Sequence, residues 1–389
     1  MNVAILTQPL RTNYGGILQA YALQTFLQKR GHNVIVVNRE YNNDISCKLF
    51  FWRVGSMLKS AIKLMMFRQK EFIVMNPLSP YYHSVWSGYD VLPFVEKYIN
   101  HSDALYSSKS LREFFRRQKF DAFIVGSDQV WRPRYSPCIT DFFLKEIPKE
   151  LNAVKVAYAA SFGTDRWEFT EEETKECASL AKLFDAVSVR EKSGVKLCKE
   201  YLGINAEHLI DPTMLLYKED YINLMTDANL SKSKGNLFCY MLDDNYQADL
   251  IVESLKEDGY KLNYASTSVV STNETPRSYQ LSVEEWLRGI YDAEIVVTDS
   301  FHACVFSILF NRPFVVVGNA SRGNTRFDSL LEMFELQGRK IESYARFIEH
   351  KACLLKEDDL YNAQTFLSNH RLKSMDFWAN LRLEESKRK

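Results

Sequence analysis

Short, continuous apolar runs recur along this chain, each closing on a polar or glycine-bearing turn: Val3 to Thr7, Asn33 to Asn38, Ala122 to Val125, Val154 to Ala159 and Ala186 to Val189. Runs without alternation suit strands covered on both faces, the situation inside a parallel sheet flanked by helices. After the first run, Ile17, Ala20, Tyr21, Leu23, Gln24 and Leu27 stand at helical spacing with Gly31 as a stop. A helix is therefore predicted over Gly16 to Lys29, which is how a doubly wound α/β sheet opens. A second helix, Glu191 to Tyr201 and ended by Gly203, follows the fifth run.

The pattern then restarts. Past Leu209-Ile210-Asp211-Pro212-Thr213, where the proline makes a stop, strands are predicted at Leu237 to Met241, Lys261 to Tyr264, Glu294 to Thr298 and Phe314 to Val317. Helices are predicted near Gln247 to Lys256, Val283 to Tyr291 and Phe301 to Phe310. A length of 389 residues exceeds one ordinary core and suits two. The expected division is a Rossmann-like domain over 1–208, a second over 209–355, and a helical tail over 356–389 that would pack back on the first. The fold class is α/β, two Rossmann-type doubly wound domains with a cleft between them, and ligands are expected beyond the carboxyl ends of the strands.

Composition removes several functions. With 49 Lys and Arg against 49 Asp and Glu, no overall field draws the chain to nucleic acid. The seven cysteines are scattered without a C-x-x-C pair, so neither a disulfide framework nor a metal site is signalled, and a reducing cytosol fits. The chain begins directly on a strand pattern, without the basic segment of a signal peptide, and a cytoplasmic location is expected. Residues 48–70 carry six basic side chains among Phe, Trp, Leu and Met and no acidic one. They fit a peripheral contact with the inner face of an anionic membrane, and equally a core-packing helix with a solvated basic edge.

The strand ends hold the candidate chemistry. Asn13-Tyr14-Gly15-Gly16 lies between the first strand and helix, where paired glycines let backbone N–H groups approach a ligand and a helix terminus favours an anion. A tight turn explains the same residues. Gly126-Ser127-Asp128 ends the Ala122 strand: Asp128 could accept a hydroxyl proton from a sugar and Trp131 could cover a pyranose face, or Asp128 could simply cap a turn. Arg190 ends the Ala186 strand, where its fork suits a phosphate or carboxylate, the structural alternative being a pair with Glu191. Asp299-Ser300-Phe301-His302 leads from a strand into a helix, placing an imidazole among oxygen-bearing groups and free N–H donors, a fair site for acid/base work. Cys304 does not share a helix face with His302, so packing is its expected role. Arg322 and Arg326 follow the next strand and could clamp phosphate or make surface salt bridges. Ser161, at another strand end, completes the candidate binding set.

Taken in order, NYGGILQAYALQ, FDAFIVGSDQVW, VAYAASFG, VSVREKSG, LIDPTMLL and TDSFHACVFSILFNRPF resemble the polysaccharide pyruvyltransferases over roughly residues 1–330. The resemblance implies a GT-B-like pair of domains, phosphoenolpyruvate as donor and no further cofactor. The acceptor would be a sugar in a growing, often lipid-linked glycan, and the product a cyclic pyruvate ketal. By that likeness Arg190 would bind donor and His302 would move protons. Ser300 stands where other members carry an arginine, so Arg322 or Arg326 is expected to take over that contact. Two competing readings stay open: a GT-B glycosyltransferase using a nucleotide sugar, and a non-catalytic binding protein of the same fold.

Overall fold

A computed structural model describes residues 1–11, 13–41, 91–148, 150–265, 281–318 and 325–381. Among these residues the first sheet holds β1 (Asn2–Leu6), β2 (Asn33–Val37), β3 (Ala122–Val125), β4 (Val154–Ala160), β5 (Ala186–Val189) and β6 (Glu207–His208), in the order β2-β1-β3-β4-β5-β6. The second holds β7 (Leu237–Tyr240), β8 (Leu262–Ala265), β9 (Ile295–Thr298), β10 (Phe314–Val317) and β11 (Lys340–Ile341), ordered β11-β10-β9-β7-β8. Every pairing in both sheets is parallel. All residues of β3, β9 and β10 are buried, as continuous apolar runs require when helices cover both faces. The predicted strands appear within a residue or two of their expected ends. The two-residue edge strands β6 and β11 were not anticipated, because a pair of residues carries no periodicity.

The sheets share one apolar seam. The Tyr14–Gln28 helix packs against the Val283–Asp292 and Phe301–Leu309 helices in a single buried cluster. Tyr14 is central to it: its ring stacks on Trp286 at 5.2 Å, and its hydroxyl donates to the Leu281 carbonyl at 2.5 Å. Tyr14 therefore bolts the two halves together instead of meeting a ligand, because its ring is taken up by the seam. The final helix, Asp358–Ala379, spans the same junction. Its Trp378 lies 5.6 Å from Phe26 and 4.9 Å from Tyr158 in the first half, while Gln364 donates to the Ile308 carbonyl of the second at 2.6 Å.

His208, at the end of β6, has Nε2 3.1 Å from the Arg190 carbonyl and so helps place that arginine's backbone. Burial, with Lys373, His370 and Lys192 nearby, pulls its pKa from 6.5 down to about 4, against the hydrogen bond to Arg190. Between those values the unfolded chain binds a proton that the folded chain refuses, so stability should fall as pH drops through that window. The slope is up to about 1.4 kcal/mol per pH unit. His208→Gln should flatten this part of a urea-midpoint profile, and an unchanged slope would remove His208 from the account.

Candidate active site

The carboxyl ends of β1, β3, β4, β5 and β9 converge at the margin of the seam. Asp211, in the connection after β6, is the centre of the cluster. It is 2% exposed and accepts from Ser127 Oγ at 3.0 Å and Arg190 Nη1 at 2.7 Å on one oxygen, and from the Thr213 N–H and Oγ1 at 3.0 and 2.8 Å on the other. His302 Nε2 lies 3.5 Å from the same Oδ2, without a hydrogen bond, a contact that is ionic when the imidazole is protonated. Burial opposes ionisation of Asp211, but His302 and Arg190 outweigh it and hold the carboxyl well below the usual range.

Arg190 and His302, from different sheets, thus meet on one carboxylate. Arg190 is 4% exposed, and its Nε and Nη2 have no hydrogen-bond partner. Burial disfavours its charge, but Asp211, Asp128 and Glu191 overcome this and raise its pKa. The alternative pairing with Glu191 is not what forms. Glu191 Oε1 accepts instead from Ser161 Oγ and the Phe162 and Gly163 N–H groups, and burial raises its pKa. Ser161 is accordingly a support for that loop.

Asp128 adopts φ 65°, a left-handed conformation that aspartate tolerates better than most residues. Its carboxylate lies 3.5 Å from Arg190 Nη2 and accepts from Asn13 Nδ2 at 3.3 Å. The two glycines act differently from the expectation. Gly15 N–H is already taken by Asn13 Oδ1 at 3.1 Å, so it is not offered to an anion. What Gly15 supplies is room: a Cβ there would sit 1.8 Å from His302 Nδ1, and one on Gly16 would lie 3.2 Å from Asp128 Oδ2.

Several candidates stand apart. Trp131 is fully buried, stacks on Phe143 at 4.9 Å and donates Nε1–H to the Phe142 carbonyl at 3.0 Å, so it belongs to the core and covers no sugar. Asp299 accepts from the Leu242 N–H at 2.6 Å and tethers the loop after β7. Ser300 is the N-cap of the Phe301–Leu309 helix, accepting from the Ala303 N–H at 3.5 Å. Cys304 is buried in the core, and burial drives its thiol pKa well up.

Arg322 and the basic stretch 48–70 lie outside the described residues. Arg326 does reach the cluster: its Cζ is 5.9 Å from the Phe301 ring centre, against 4.3 Å for Arg190, so one ring sits close to both guanidiniums. Arg326 Nε is buried without a partner, and burial together with Arg190 lowers its pKa to about 10.

The residue missed by sequence reasoning is Asp211. Its signal was an Asp-Pro-Thr step after a short buried run, which reads as the cap of the Pro212–Met214 turn, a role it also fills through Oδ1.

Two doubly wound parallel sheets with this cluster at their junction define a GT-B-like α/β protein. Residues 13–321 match the family described as Polysaccharide pyruvyl transferase, and the chain belongs to that family. No curated protein matches it significantly. Similar solved structures include the glycotransferase of kitacinnamycin, at 11% identity and TM-score 0.49 over 97% of each chain. UDP-N-acetylglucosamine 2-epimerase from Rickettsia bellii is similar at 10% identity and TM-score 0.48 over 99% of each chain. The E. coli ADP-heptose lps heptosyltransferase II follows at 11% and 0.40, over 91% of this chain and 98% of the other. Likenesses at this level carry no information about the reaction. Among the described residues no helix is long and apolar enough to cross a membrane.

Proposed function

We propose that this chain moves the pyruvyl group of phosphoenolpyruvate onto two hydroxyls of a sugar in a polysaccharide precursor, forming a cyclic ketal. The observation that carries this reading is the set of guanidinium nitrogens without a hydrogen-bond partner, Nε and Nη2 of Arg190, the latter 3.5 Å from Asp128, and Nε of Arg326, beside the His302–Asp211 pair. Buried donors without partners suit an anion carrying several oxygens. Arg326 then supplies the contact that Ser300 does not.

In this reading the enol methylene of the donor takes a proton and its C2 becomes cation-like. One sugar hydroxyl bonds to C2 and gives up its proton. The C–O bond to phosphate then breaks, inorganic phosphate leaves to the arginines, and the second hydroxyl closes the ring with loss of its own proton to phosphate. His302, kept in orientation by Asp211, is our choice for moving protons near neutrality. Its ring lies between Gly15 and Asp211.

The test combines ligand binding with turnover. Phosphoenolpyruvate should raise the melting temperature where a panel of nucleotide sugars does not. Incubation with glycan acceptors should give a mass gain of one pyruvate less one water. His302→Gln should lower turnover about 10²–10⁴-fold with donor binding retained. A shift by nucleotide sugars alone would establish the glycosyltransferase alternative instead.

A further inference from the structure

A cavity of about 410 Å³ opens beside the cluster, and Asn13, Asp128 and Arg326 form the wall they share. Elsewhere it is lined by two glutamines whose amides are held in opposite senses. Gln129 Oε1 accepts from Arg132 Nη1 at 3.0 Å, and Arg132 is itself fixed by a two-point pair with Glu168, at 2.8 and 2.9 Å. Gly163, at φ +70°, packs so closely that a Cβ there would meet Gln129 Oε1 at 2.0 Å. These contacts use the carbonyl end of the amide and leave Nε2 as an open donor. Gln8 is turned the other way: its Nε2 donates to the Gln129 carbonyl at 2.8 Å and to Ser136 Oγ at 3.4 Å, leaving Oε1 as an open acceptor.

Tyr41 and Tyr135, 37% and 38% exposed, line the same cavity and are joined by a 2.7 Å bond from the Tyr41 hydroxyl to the Tyr135 carbonyl. Its peripheral charges are already matched, Arg11 to Glu40 and Arg132 to Glu168. A fixed donor, a fixed acceptor and two aromatic rings suit a ring of hydroxyls with apolar C–H faces. A diphosphate would call for several unmatched cations, of which the described lining offers Arg326 alone, while the Gly15 N–H at the adjoining helix start is already taken by Asn13 Oδ1.

The geometry points to this cavity as the acceptor subsite, selecting an uncharged pyranose unit through Gln8 and Gln129 with Tyr41 and Tyr135 as walls. The inference rests on the pyruvyl-transfer reading, whose donor would lie across the shared wall. Saturation-transfer NMR on the full chain tests it. The probes are the methyl glycosides of glucose, galactose, mannose and N-acetylglucosamine, with uridine diphosphate as the charged competitor.

At least one neutral glycoside should show contact. Its signal should drop about fivefold or more in Gln129→Glu, which keeps the acceptor for Arg132 and removes the donor, the effect of losing one hydrogen bond. Tyr135→Ala, at an exposed position, should act likewise. Both variants should keep the melting shift given by phosphoenolpyruvate, which shows that they fold. No contact with any neutral glycoside, equal signals in wild type and variants, or displacement by uridine diphosphate would each overturn the subsite. Glycoside contact that is lost in the variants, with no phosphoenolpyruvate shift in wild type, would keep the sugar site and refute the donor instead.

Discussion

Asp211→Asn is expected to lower the stability of the folded chain by about 3–5 kcal/mol, the scale for breaking a buried ion pair. The substitution leaves the Arg190 guanidinium, 2% exposed at its side chain, with Asp128 at 3.5 Å as its remaining ion-pair partner and Glu191 as a more distant opposing charge. It also removes the anion that faces His302 Nε2. Turnover should fall about 10²–10⁴-fold as the imidazole loses its orientation. Because the Asp211 pKa is held down in the folded chain, its contribution is complete above the ordinary carboxylate pKa and disappears only as pH falls through the depressed value, in strong acid. Above about pH 5 the carboxylate itself is fully ionised, so wild type and variant are to be compared at one fixed pH in that range. A urea midpoint for Asp211→Asn equal to that of the wild type would mean that Arg190 finds its compensation elsewhere.

Gly15→Ala is the second change with a large expected effect. The added methyl would lie 1.8, 2.2 and 2.6 Å from Nδ1, Cγ and Cε1 of His302, distances no relaxation of a rigid ring can absorb without moving it. Overpacking of this kind costs about 1–3 kcal/mol and displaces the ring. Activity should be lost to nearly the extent expected on removing the imidazole itself. A double-mutant cycle separates this from a general backbone effect, since residues in contact do not behave additively. In the His302→Ala background, Gly15→Ala should be almost neutral to stability. An equal penalty in both backgrounds would show that the glycine serves the turn and not the histidine.

Much of the site was legible residue by residue, and little of it as an arrangement. Arg190 and Asp128 were singled out because each follows a buried strand and His302 because it opens the helix after one; Arg190 and His302 meet on Asp211 while Asp128 faces Arg190. Trp131 and Tyr14 were both named as candidates, and the structure places both rings in packing contacts. An aromatic residue next to a strand end has the same local sequence whether its ring faces a ligand or the core, and here Phe143 and Trp286 claim the rings. Glu191 was the natural partner for Arg190 by adjacency. Successive side chains at a strand end point in different directions, however, and Glu191 turns to the 161–163 loop.

What the residue order determined unaided was the alternation of strand and helix and the two-sheet architecture. Apolar period and glycine or proline punctuation act within a few residues of backbone, so they can be read along the chain. Only tertiary packing decided that a carboxylate from the connection after β6 would join an arginine from β5 with a histidine from the second sheet. Such a meeting depends on how the Tyr14–Gln28 helix seats against the Phe301–Leu309 helix, with no Cβ on Gly15 to hold them apart. That contact joins residues far apart in the chain, and no local pattern encodes it.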